Sequence, residues 1–209
     1  MVLPCAYLPP ISWFVSLMTD EPIFMEQYEH YQKQTIRNRC TIDSPNGPLN
    51  LSIPIDRSTF EEGKCLMKDV RISTHTDWQR QHWYALETSY FNSPFFEYLQ
   101  DDFHPLYEKK WDFLMDFNEA LIQKCCEILD IQPNISRTNS YQGITPSPTL
   151  NTQPSTLNAQ PSTFNYYQVF QQKHGFLPNL SIIDLIFNMG NESTLLLVSS
   201  GQRLLSEQS

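Results

Sequence analysis

From residue 138 to residue 172 the chain carries no Asp, Glu, Lys or Arg, and this stretch decides how the rest can be arranged. Within it a seven-residue unit recurs as TLNTQPS (149–155), TLNAQPS (156–162) and the start of a third copy, TFN (163–165). Each unit holds one large apolar residue and one proline. It therefore lacks the paired apolar positions of a coiled coil, and a helix would lose hydrogen bonds at every copy. Such a repeat reads as a disordered or extended insert, so any packed core must come from the chain on either side. The expected organisation is a main α/β region at 1–137, a low-complexity linker at 138–165, and a C-terminal segment at 166–209 that packs back on the main region.

At 209 residues, with 40% hydrophobic and 13% aromatic content, the flanking chain has enough large apolar side chains to bury a core. The net charge of −9 disfavours nucleic acid and anionic lipid as partners while leaving room for a local basic pocket. The cysteines, Cys5, Cys40, Cys65, Cys125 and Cys126, include no C-x-x-C pair, which argues against a disulfide framework or a structural zinc site. Residues 1–19 are uncharged, but Pro4, Pro9 and Pro10 would break a spanning helix, and no cleavage signal follows. A soluble, reducing, cytoplasmic protein without a membrane span is expected.

The element pattern predicts one mixed α/β domain, with a partly parallel sheet flanked by helices. Residues 2–8 form an apolar run ending at Pro9 and Pro10. Ile11, Phe14, Val15 and Met18 then follow at helical spacing, and 21–25 reads as a second strand. Asn46-Gly47 between 40–42 and 49–55 predicts a hairpin, and 70–72 adds a short strand. Thr76 or Asp77 caps a helix with Trp78, His82, Ala85 and Ser89 on one face and Trp83, Leu86 and Tyr90 on another. A short amphipathic segment follows at Phe95, Phe96, Leu99 and Phe103. The stripe Phe113, Phe117, Leu121, Cys125 and Ile128 marks the clearest helix. A final helix runs from Pro178 to Gly190, and Ser181 followed by Asp184 has the form of a capping box.

Several stretches resemble the WbqC-like protein family: YLPPISWF (7–14), YQKQTIRNRC (31–40), LNLSIPI (49–55), KDVRI (68–72), WQRQHW (78–83), YFNSPFFEYLQDDF (90–103) and GFLPNLSIIDLIFNMGNES (175–193). They stand in the family's order, and the repeats are where this chain departs from the pattern. The resemblance implies a soluble cytoplasmic bacterial protein of surface-polysaccharide (O-antigen type) biosynthesis. It also implies transfer of an amino-acid or acyl group onto a sugar, which makes an activated sugar or an acyl or aminoacyl donor the expected small-molecule partner. The alternatives are a non-catalytic binding or scaffold protein of the same system, and a decayed copy of one. The cofactor is left unknown.

No phosphate loop, zinc-protease helix or nucleophile elbow is present, so candidate residues must be weighed singly. Lys33, Arg37 and Arg39 form the densest basic stretch, either a solvated strand face or a clamp for phosphate or carboxylate. His82 is a core histidine or a general base. Arg80 projects from the same helix toward another face, and His174 stands in a loop. Asp184 either completes a helix cap or handles a proton, while Asn179, Ser181 and Asn188 surround it as ligand-binding candidates. Glu26, Tyr28 and Tyr31 follow the second strand, where open α/β sheets place ligand residues.

Overall fold

The computed structural model describes residues 1–145 and 165–206; the repeat-bearing residues 146–164, where most of the expected insert falls, lie outside the described residues. The fold is mixed α/β. Its central sheet has three parallel strands in the order β1 (Val2–Pro4), β2 (Ile23–Glu26), β7 (Ile135–Arg137), with Val2 opposite Phe24 and Ile23 opposite Ile135. Parallel neighbours need a crossover. Between β1 and β2 the crossover is α1 (Ile11–Val15). Between β2 and β7 lie β3 (Arg39–Ile42), β4 (Leu49–Ser52), β5 (Ile55–Asp56), β6 (Arg71–Ile72), α2 (Trp78–Tyr90), α3 (Phe96–Glu108) and α4 (Leu114–Ile128).

The hairpin forms where Asn46-Gly47 marked it: β3 pairs antiparallel with β4, Cys40 opposite Leu51. The Ser44 hydroxyl donates to the Gly47 carbonyl at 2.6 Å, and Gly47 takes φ +100°, a conformation with little cost only for glycine. Residues beyond the uncharged boundary are part of the fold. Thr138 is fully buried, and the backbone N–H of Thr145 donates to the Val2 carbonyl at 2.9 Å.

After the insert come α5 (Gln171–His174), α6 (Ile182–Met189) and α7 (Ser193–Ser206). Helix α6 is buried from Ile182 through Asn188 and touches α1, α3, α4 and α7. A helix apolar on nearly every side can only be stable enclosed in this way. Phe187 is its anchor, with ring centroids 5.0 Å from Phe96, 5.2 Å from Tyr90 and 5.6 Å from Phe103. All five cysteines are buried free thiols.

Four local expectations are corrected. On α2 the buried stripe is Trp78, His82, Leu86, Ser89 and Tyr90, which merges the two expected faces, while Ala85 and Trp83 are only half-buried. Each i+4 step from Trp78 through His82 and Leu86 to Tyr90 moves about 40° round the helix, so the buried stripe is about 120° wide and spans both expected faces. The short segment after Pro94 is the 13-residue α3, which continues through Pro105 because Phe103 and Tyr107 bury their rings on either side of it. Phe113 precedes α4 as its half-buried cap residue, with the Arg71 guanidinium 4.7 Å from its ring centre. Gly190 does not end the chain's helical structure. It takes φ +54° at a corner against the Phe95 ring and leads through a 3-10 turn into α7.

Candidate functional site

Two segments leave the carboxyl ends of β2 and β7 and are joined by one buried carboxylate. Glu26 is fully buried; its Oε1 accepts from the Tyr28 N–H at 2.8 Å and the Thr138 hydroxyl at 3.0 Å, and its Oε2 from the Gln142 N–H at 2.8 Å. Beyond Tyr28 the chain is held against a second strap by hydrogen bonds from Tyr31 N to Cys65 O, Met67 N to Glu29 O and Lys68 N to Gln27 O, at 2.9, 2.9 and 3.0 Å. The carboxyl end of a parallel sheet is where α/β proteins form ligand crevices.

Two adjoining cavities open there. One, of about 610 Å³, is lined by Tyr31, Gln32, Lys33, Arg57, Phe60 and Gly63. The other, of about 550 Å³, is lined by Tyr28, Glu29, His30, Gln32 and Tyr141, so Gln32 belongs to both. In the first, the Tyr31 and Phe60 rings meet edge to face with centroids 6.0 Å apart. Burial pushes the Tyr31 phenol up to about 12, against the pull of Arg57, Arg37 and Arg39. Lys33 and Arg57 are exposed and enter no ion pair among the described residues.

Arg37 has a different place. It is 1% exposed, and its Nε and Nη2 donate to Glu29 at 2.7 and 2.5 Å, a bidentate pair that occupies the fork of the guanidinium. Neither a solvated strand face nor an open clamp describes it. Arg39 is half-buried and donates from Nε to the Ser52 hydroxyl across the hairpin at 2.8 Å.

Asp184 lies elsewhere, fully buried. It accepts from the Tyr90 hydroxyl at 2.9 Å, the Tyr166 hydroxyl at 2.5 Å and the Gln168 amide at 3.3 Å. Burial pushes its carboxyl up to about 7; the tyrosine hydrogen bonds oppose the shift, and nearby Asp43 adds to it. The capping-box expectation is therefore corrected. The Ser181 hydroxyl caps Ile183 N at 3.4 Å, but the Ser181 N–H donates to Thr41 O, and the Asp184 side chain turns inward. Asn188 donates to the Asp184 carbonyl at 2.8 Å. Asn179, at φ +54°, accepts from Ser12 N in the first turn of α1.

The WbqC-like family model matches residues 5–156. The chain belongs to the WbqC-like protein family. It is also 27% identical over 217 residues to the uncharacterized protein Rv1507c of Mycobacterium tuberculosis, covering 90% of this chain and 92% of that one. No solved structure matches it.

All residues lining the two cavities fall within the span matched by the WbqC-like model, whereas His174, Asn179, Asp184 and Asn188 lie beyond it. Asn188 lies beside Asp184, but the WbqC-like chain does not gather the sequence candidates into one site. His82 is buried in an aromatic cage, its Nδ1 sharing a 2.9 Å hydrogen bond with the Tyr7 hydroxyl, which in turn meets the Tyr107 hydroxyl at 2.9 Å. Burial pushes its imidazole down to about 4, so it is neutral at pH 7. Arg80 is exposed on α2, and His174, the last residue of α5, places Nε2 3.1 Å from Ser44 O. Of the basic stretch, Lys33 lines the first of these two cavities, and Arg37 and Arg39 line neither. Sequence reasoning missed Arg57, Phe60, His30, Gln32 and Tyr141. Arg57 and Phe60 follow the short strand at Ile55, and an Arg and an aromatic three apart after a strand were the available signal. Tyr141 sat inside the uncharged stretch, where nothing distinguished it.

Proposed function

We propose that this WbqC-like protein binds a phosphorylated, activated donor in the cavity of Tyr31, Phe60, Lys33 and Arg57, and takes part in transferring an acyl or aminoacyl group onto a sugar. The observation that carries the reading is two cations without an ion-pair partner among the described residues, beside an aromatic pair, in a protein of net charge −9. In such a protein a local positive site attracts an anion that the rest of the surface repels. Arg57 presents a planar fork suited to phosphate oxygens, Lys33 a point charge, and the two rings a face for a base or another apolar group. Surface-polysaccharide assembly is the setting that the family resemblance implies.

The test is a thermal-shift and calorimetric panel of nucleotide sugars, acyl phosphates and coenzyme A esters. A ligand that binds the native state raises its melting temperature. At least one phosphate-bearing donor is expected to do so, and Arg57→Gln should weaken it by about 1.5–3 kcal/mol, the range for a hydrogen bond to a charged group. No shift with any member of the panel, or equal affinities for variant and parent, overturns the reading. A second reading, binding without catalysis, is favoured by the separation of His82 and Asp184 from the cavities. Turnover of the bound donor in the presence of a sugar acceptor excludes it.

A further inference from the structure

The adjoining cavity differs from its neighbour in chemistry. Tyr28 and Tyr141 supply aromatic faces, Tyr141 being 68% exposed, and His30 and Gln32 supply hydrogen-bonding groups. Its only carboxylate, on Glu29, is neutralised by the bidentate Arg37 behind it, yet each of its oxygens keeps a lone pair for a further donor. The Glu29–Arg37 pair therefore presents no net charge to an occupant. Amphipathic rings with a few convergent polar groups, and no lysine or arginine among the described lining residues, suit a molecule with an apolar face and a rim of hydroxyls.

From this we infer that the Tyr28, His30, Gln32 and Tyr141 cavity is a second subsite that binds a neutral pyranose, occupied together with the anion subsite across the shared wall of Gln32. One tyrosine ring covers the C–H face of the sugar, while Gln32, His30 and Glu29 take its hydroxyls. The inference rests on the preceding reading for the occupant of the first subsite, but the sugar subsite has its own walls. Two cavities sharing one side chain hold two ligands side by side.

The experiment uses the full chain, with N-acetylglucosamine and uridine diphosphate as probes, followed by saturation-transfer NMR and calorimetry. The sugar is expected to bind with the same affinity whether or not the nucleotide is present. Tyr141→Ala, at an exposed position that the fold does not need, should weaken the sugar roughly tenfold, which corresponds to about 1.4 kcal/mol, and leave the nucleotide unchanged. Arg57→Gln should do the reverse. Displacement of the sugar by the nucleotide, absence of sugar binding, or a Tyr141→Ala protein with parental sugar affinity overturns the second subsite. Failure of the nucleotide alone, with sugar binding intact and sensitive to Tyr141, supports the sugar subsite and overturns the anion reading instead.

Discussion

Asp184 titrates inside the protein. Its ordinary pKa of 3.8 is raised to about 7 on folding, so between those values the native state holds a proton that the unfolded chain has released. Stability from this group is therefore fully present below about pH 4 and is lost as pH rises through about 7. Asp184→Asn keeps the shape and an acceptor for one tyrosine but removes the titration. Denaturant midpoints followed from about pH 4 to about pH 8 should fall in the parent and fall less steeply in the variant; parallel curves would contradict the assignment. Gly190 is a second residue with a definite expectation. A Cβ there would stand 2.6 Å from the Phe95 ring, at a backbone φ of +54° that side chains resist. Gly190→Ala should destabilise by about 1–3 kcal/mol, as overpacking and left-handed backbone strain do.

Helix α6 is the element on which the others close. Phe187→Ala removes a ring packed against three others, and equilibrium unfolding should register a loss of about 3–5 kcal/mol, a large part of a domain's stability. The element level is also where the sequence was most legible. The hairpin at Asn46-Gly47, the stripe from Phe117 to Cys125 and the apolar run before Gly190 each depend on local chemistry or a short period, and each stands where its pattern placed it. What could not be read depended on which side chains meet in space, at short or long separation along the chain. Arg37 resembled a binding residue until Glu29 was seen to occupy its fork, and Asp184 resembled a cap until Tyr90, far away in sequence, claimed its carboxylate. The cavities are built from loops after strands, where no periodicity exists to betray which side chains converge.

For the whole molecule the balance of charge sets how a ligand is held. With net charge −9 and two exposed cations at one cavity, anion affinity should fall as salt is raised, because attraction at an exposed site is screened beyond roughly 10 Å at 0.1 M. Titration calorimetry of uridine diphosphate at increasing ionic strength reads this directly; an affinity indifferent to salt would place the anion somewhere other than beside Lys33 and Arg57. Five buried thiols distributed over the molecule have a further consequence. Cys5 follows β1, Cys40 lies on β3, Cys65 on the strap beside Tyr31, and Cys125 and Cys126 on α4. Burial pushes the Cys5 and Cys126 thiols up to about 12, so at neutral pH they are protonated as well as shielded. Since the thiolate is the reactive form, an alkylating reagent must wait for the chain to open. The protein thus carries its own unfolding clock: the order in which these positions are alkylated, read by peptide mass mapping, gives the order in which strand, hairpin, strap and helix come apart.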